Sequence, residues 1–367
     1  MPHRFPVFDL HTDILLRVLD NGVDMLNPPG WPQVTIPAMR AGLVQEQVLA
    51  LWVDTRTTNG LEATRRALRL HDVFCEQVKR HGDQMALAHD STEAHAIVAS
   101  GRIALWLWLE GGEIIAEDLA LLRSFHRLGA RGMTLTWTNN ISWGGSSTDP
   151  IDSSKGLTDF GREVVRELDR LHMIVDLSHV SDATFADALA VAKGPVMASH
   201  SGCRALCNHP RNLTDDQLKS LRHRNGLIGI VALPEYLKDN WAGGWQATED
   251  AHKAEVDALL ARYDNNKDNP EFREARRALL QEHLAPEFAV TVDTYLDHVE
   301  HAMHMAGPGH VALGSDFDGM WAFPTSLEKP NGWPLVAQGL LARGHSEGVV
   351  QAVMHGNARR LFRQVIG

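Results

Sequence analysis

Cysteine is scarce: Cys75, Cys203 and Cys207 are the three in 367 residues, and no two stand at CxxC spacing. An odd, unpatterned set argues against a disulfide framework or a thiolate zinc site and fits reduced thiols in a reducing compartment. Cys203 and Cys207, at i, i+4 just after His200, read as buried small residues rather than as a nucleophile. Basic charge is also in deficit. With 35 Lys+Arg against 46 Asp+Glu the formal net charge is -11, so no positive field draws nucleic acid or an anionic membrane surface. No apolar run reaches transmembrane length, and Val7-Phe-Asp-Leu-His11 forms a strand-like segment with no signal-peptide core before it. A cytoplasmic protein without nucleic-acid or membrane partners is the expectation. The 44% hydrophobic content is ordinary for a globular chain and supplies one large core.

What is present is a succession of short apolar runs that end abruptly in ionisable residues. Ile174-Val-Asp-Leu-Ser-His179 and Val196-Met-Ala-Ser-His200 flank a helical segment closed by Gly194-Pro195, which reads as strand, helix, strand. Such strands run parallel, so both imidazoles emerge on one edge of the sheet. The plainer alternative is a pair of unrelated core or capping histidines. Similar runs are Val7 to Asp13, ending in His11-Thr-Asp13, Gln47 to Val53, Ala104 to Leu109 before Glu110-Gly-Gly, Arg131 to Trp137, Leu227 to Leu233, and His310 to Gly319 with Asp316 and Asp318. That makes eight strands separated by helical segments, and eight such units close into a (β/α)8 TIM barrel whose chemistry sits at the carboxyl ends of its strands. The chain is read as a single domain, 1–367. An irregular insertion at about 235–288, between strands seven and eight, contains a Trp/Gly loop at Trp241-Ala-Gly-Gly-Trp245 and charged helices. It suits either a lid or dimerisation element or a solvated decoration.

A carboxylate directly after a run as apolar as that before Glu110 needs a cationic partner. His11, Asp13, Glu110, His179, His200 and Asp316 are nitrogen and carboxylate donors suited to zinc, too many for one tetrahedral ion, so two ions sharing a carboxylate is the economical arrangement. The polar loop Thr138-Asn-Asn-Ile-Ser-Trp-Gly-Gly-Ser-Ser-Thr148 has the character of a binding loop, with Asn140 a candidate substrate contact, or of a surface connection. His209, beside Pro210, reads as a surface or outer-sphere residue. Thr214 and Gln217 form a capping box for the helix that follows.

Taken together, Phe8-Asp-Leu-His-Thr-Asp13, Leu109-Glu-Gly-Gly112, Met133-Thr-Leu-Thr136, Gly156-Leu-Thr-Asp-Phe-Gly161, Asp176-Leu-Ser-His-Val-Ser181, Pro195-Val-Met-Ala-Ser-His-Ser201, Pro210-Arg-Asn212, Gly314-Ser-Asp-Phe-Asp-Gly319 and Gly356-Asn357 resemble the membrane (renal) dipeptidase family of zinc peptidases, peptidase family M19. The resemblance runs nearly end to end. It implies two Zn2+ per chain, the first on His11 and Asp13, the second on His179 and His200, with Glu110 bridging. It implies further that Asp316 holds a bridging hydroxide and shuttles its proton to the leaving amine, with Asp318 the rival for that role. Arg211 corresponds to an arginine that binds the substrate carboxylate. The implied reaction is hydrolysis of small dipeptides, L-Xaa-D-Xaa included, by a homodimer.

One position departs from the family pattern. Where the family carries a histidine after Thr-Leu-Thr, this chain has Trp137, whose indole offers one N–H donor and no titration. If it turns away, roughly 3 kcal/mol of oxyanion stabilisation is missing, about a hundredfold in rate. The alternative reading is therefore a related metal-dependent amidohydrolase acting on a β-lactam, a lactone or an N-acyl amino acid. A third is a barrel that keeps its metal and serves as a non-catalytic partner.

Overall fold

In a computed structural model, residues 5–58, 60–267 and 269–367 are described. The apolar runs become parallel strands: β1 Val7–Asp9, β2 Val44–Trp52, β3 Met85–Leu87, β4 Ile103–Glu110, β5 Ala130–Thr134, β6 Ile174–Asp176, β7 Met197–Ser201, β8 Leu227–Ile230 and β9 Val311–Leu313. They lie in the order β2-β1-β9-β8-β7-β6-β5-β4-β3. β2 also pairs with β4, from Glu46 against Ala104 to Trp52 against Glu110. That pairing closes eight strands into the expected (β/α)8 barrel and leaves β3 outside, beside the amino-terminal half of β4.

The interior follows from side-chain alternation. Along β4, Ala104, Trp106 and Trp108 face one way, into a cluster with Phe8, Leu10, Val48, Ile174, Met197, Leu227 and Ala312; Leu105, Leu107 and Leu109 face the outer helices. Glu110 shares the parity of the inward set and so stands at the top of the lumen. The opposite end is plugged by the last helix, Asn357–Val365, whose Phe362 ring lies 4.7 Å from Phe8 and 4.9 Å from Trp106. Beneath Trp106, the buried Glu46 carboxylate accepts from the indole N–H at 3.1 Å and pairs with His355 and Arg359 at 3.2 and 3.3 Å.

Three sequence expectations need correction. β3 was not expected, because three residues carry no usable periodicity. The first and last barrel strands end at Asp9 and Leu313, short of Asp13 and Gly319; loops continue their course side by side, with Asp13 N–H and the Thr12 hydroxyl donating to Phe317 C=O at 2.9 and 2.8 Å. The Trp241–Trp245 stretch is the start of a helix, Trp241–Ala251, rather than a loop. Its two indoles pack against each other and against Trp321 in tilted and edge-on contacts, and Gly244 lacks the Cβ that would collide with Phe288, so tertiary packing overrides the weak helix propensity of Gly-Gly. The irregular stretch from Tyr263 is a turn through Lys267, with Asp268 outside the described residues. The remaining inserted helices are Pro234–Leu237, Lys253–Ala261 and Pro270–His283, before the barrel helix Val292–Ala306.

Candidate active site

The barrel mouth brings His11, Asp13, Glu110, His179, His200 and Asp316 together. His11 and Asp13 arrive on the loop after β1, and Asp316 on the loop after β9, because Asp316 N–H donates to His11 C=O at 3.2 Å. Glu110 ends β4, His200 lies in β7 and His179 follows β6. His179 (φ 69°) and Asp316 (φ 63°) adopt left-handed backbone, a conformation costing about 1 kcal/mol or more for such residues and commonly retained at functional sites.

Glu110 organises the geometry. Its Oε2 is 3.2 Å from His11 Nε2, while its Oε1 is 3.1 Å from His179 Nε2 and 3.5 Å from His200 Nε2. His11 Nε2 is also 3.5 Å from Asp13 Oδ2 and 4.0 Å from Asp316 Oδ1. Two groups of donors therefore face the two oxygens of one carboxylate. Burial makes Glu110 reluctant to ionise; neighbouring His11 opposes that, Asp13 reinforces it, and the net effect raises its pKa. Burial likewise pushes Asp316 well above the carboxylate range, His11 opposing and Asp13 and Glu110 adding to it. Burial also works against a charged His11, but Glu110 and Asp13 outweigh it and raise its pKa well above the imidazole value. His179 and His200 are pushed well below that value, first by burial and then by positive neighbours including Arg211.

These residues fit divalent cations. His200 is oriented by its surroundings: the Ser199 hydroxyl donates to Asp176 Oδ2 at 2.6 Å, so it accepts from His200 Nδ1–H at 2.7 Å and leaves the Nε2 lone pair facing the site. His179 Nε2 and His200 Nε2 approach to 2.8 Å. Both nitrogens of His11, Asp13 Oδ1 and Glu110 Oε2 are buried without a hydrogen-bond partner. Orphaned donors of opposite formal tendency, packed around one carboxylate, are satisfied by cations between them. His11, Glu110 and His200, and separately His11, Asp13 and Asp316, form groups tight enough to hold an ion. Gly319 completes the wall, since a Cβ there would lie 2.2 Å from Asp13 Oδ2 and 2.5 Å from Asp316 Oδ1.

Asp318, the rival to Asp316, is committed elsewhere: its carboxylate accepts from the N–H groups of Gln33 and Val34 at 3.0 and 2.8 Å. Arg211 is buried, with its guanidinium donating to His200 C=O at 2.9 Å and Ser201 Oγ at 3.3 Å and lying 5.4 Å from the Tyr236 ring centre. Its Nε has no partner. Trp137 stands at the rim, edge-on to Trp52 at 4.7 Å, 6.3 Å from the His179 ring and beneath the Arg56 guanidinium at 5.0 Å. Asn140 holds the polar loop together: its amide donates to Asp152 C=O at 2.6 Å and accepts from Ser146 N–H at 2.7 Å. His209 packs on Tyr236 at 4.4 Å and accepts from the Arg211 backbone N–H at 3.2 Å.

Sequence reasoning missed Asp176, Ser199, Tyr236 and Trp52. Asp176 is the hub of the outer sphere, accepting from Thr134 and Ser199 hydroxyls at 2.7 and 2.6 Å, from Trp108 Nε1 at 3.1 Å, and from the Ser178 and Ser199 N–H groups. The available signal was a carboxylate inside the apolar run Ile174-Val-Asp-Leu, the same anomaly that singled out Glu110.

Residues 1–366 match the family model described as membrane dipeptidase (peptidase family M19). Dipeptidase 3 of Macaca fascicularis is 30% identical over 369 residues, spanning 98% of this chain and 65% of its own length. Dipeptidase tcpJ of Claviceps purpurea is 33% identical over 294 residues, 80% of this chain and 58% of its own. The chain thus spans about two-thirds or less of these relatives. Two solved structures share its fold, each with a TM-score of 0.81: a family M19 dipeptidase at 24% identity covering both chains fully, and a Rhodobacter sphaeroides metallopeptidase liganded with a phosphinate mimic of L-Ala-D-Ala, at 23% identity covering 99% of this chain and 100% of that one.

Proposed function

Since the chain belongs to the membrane dipeptidase family, peptidase family M19, we propose that it hydrolyses small dipeptides at a pair of zinc ions, His11 and Asp13 holding one, His179 and His200 the other, and Glu110 shared. The observation that carries this reading is the division of donors between the two Glu110 oxygens. When bound, such a pair supplies Lewis acidity and a strong nucleophile at neutral pH. The remaining work falls to the chain. Arg211, its fork unpaired at Nε and its neighbours Ser201 and Tyr236 neutral, receives the substrate's terminal carboxylate. Asp316, 4.0 Å from His11 Nε2, takes a proton from the attacking water at Oδ1 and returns it to the departing amine. Trp137 and Trp52 bound the rim where a substrate side chain lies.

The test is turnover of an L-Xaa-L-Xaa and L-Xaa-D-Xaa dipeptide panel by zinc-loaded protein, with metal counted on the same sample. Turnover with about two zinc ions per chain supports the reading. Two ions with inert dipeptides, but turnover of a β-lactam, lactone or N-acyl amino acid, supports the second reading, which the indole at Trp137 favours because it replaces a titratable donor.

A further inference from the structure

Away from the barrel mouth, one more group of ligand-type side chains converges. His252, Glu255 and His283 place ligand atoms all within 4.8 Å of one another. All three belong to the insertion: His252 joins Trp241–Ala251 to Lys253–Ala261, Glu255 lies in the first turn of the latter, and His283 closes Pro270–His283. His252 Nδ1 is 3.0 Å from Glu255 Oε1, and the two imidazoles stack with centres 4.1 Å apart and planes 18° from parallel. Among the described residues, neither ring nitrogen of His283 is hydrogen-bonded. Two helices also end here, with His252 capping one carboxyl terminus and His283 forming the last residue of the other.

We propose that His252, Glu255 and His283 form a separate site for a borderline divalent transition ion such as zinc, with water filling the remaining coordination positions. Two imidazoles and one carboxylate are a suitable donor set for that ion, and none of the three is shared with the centre around Glu110. An ion there clamps the end of Pro270–His283 onto the turn at 252–255, across two helices otherwise tied by the Arg276–Glu249 pair. The same helices wall a cavity of about 880 Å³ that reaches Trp321 and Gly319 at the barrel rim, so the clamp fixes one side of that cavity.

The test is equilibrium dialysis of the full chain against buffered free zinc, with metal counted for wild type, His252→Ala, His283→Ala and Glu255→Gln, and hydrogen exchange followed through 252–283. Each histidine variant should hold about one zinc ion fewer per chain than wild type, and zinc-induced exchange protection of this stretch should vanish. Equal zinc content in all four proteins, or a loss in one histidine variant alone, overturns the site. Should a histidine variant misfold by circular dichroism, the exposed Glu255→Gln decides: several-fold weaker binding of one ion supports the site and unchanged binding overturns it. Counting metal does not depend on turnover, so failure of the dipeptidase reading would leave this result intact.

Discussion

At Arg211 a buried guanidinium is braced by one backbone carbonyl and one hydroxyl, and among the described residues no carboxylate lies within ion-pair distance of it. A charge held that way is set to receive an anion. Arg211→Ala should raise KM for a dipeptide roughly a hundredfold while zinc content stays the same, a loss of about 3 kcal/mol; steady-state kinetics beside metal analysis checks this, and an unchanged KM would remove Arg211 from substrate binding. Asp316→Asn keeps size and polarity but cannot accept a proton, so kcat should fall about a hundredfold or more with metal retained. Full activity in that variant would remove the proton role from Asp316, and the bonds made by Asp318 make it an unsuitable replacement. Asp316 was legible as an ionisable group ending an apolar run, whereas Arg211, in the polar stretch Asn208-His-Pro-Arg211, was reached only through the family resemblance. Asp176 carried the same signal without revealing its role, and Tyr236 carried none, since their meaning lies in partners from other strands and loops: Thr134, Ser199 and Trp108 for one, Arg211 and His209 for the other. Asn140 shows the converse, a polar loop residue whose bonds turn out to lie within its own loop.

Among the elements, the helix Val292–Ala306 carries His298, which is buried between it and two neighbouring segments. Its Nδ1 accepts from Cys203 N–H and its Nε2–H donates to Leu237 C=O, both at 3.0 Å, so the ring must be neutral. Burial lowers its pKa from 6.5 to about 4. Between those values the unfolded chain binds a proton that the folded chain refuses, so stability falls as pH drops through the window, by on the order of 3 kcal/mol in all. His298→Gln should be less stable near neutrality but show a flatter decline of Tm between about pH 6.5 and pH 4, by differential scanning calorimetry; a slope equal to wild type would acquit His298. The boundaries of elements divide in the same way between the visible and the hidden. The capping box at Thr214 and Gln217 forms as its sequence pattern demands. The helix at Trp241–Ala251 does not follow from local pattern, because Trp321 and Phe288, distant in sequence, make its indoles and its Gly244 useful.

For the molecule as a whole, the two ends of the barrel are separate undertakings. The closed end depends on Glu46, whose single carboxylate serves Trp106, His355 and Arg359. Glu46→Ala would leave those groups without their buried counter-charge and should cost about 3 kcal/mol of stability, read as a lower denaturant midpoint, while kcat of the folded fraction is unchanged; a matching fall in kcat would show that the ends communicate. The barrel itself was legible from eight apolar runs with polar punctuation, whereas closure through β2 and β4 depends on a register that no local pattern encodes. At the open end, Arg211 is bonded to the backbone carbonyl of His200, while Trp52 lies in register with Glu110 and Trp137 packs 6.3 Å from the His179 ring. Because that bond is made to the main chain and not to the imidazole, the arginine can be exchanged without unseating the histidine: under the proposed function, the grip on a terminus and the cut are adjustable apart.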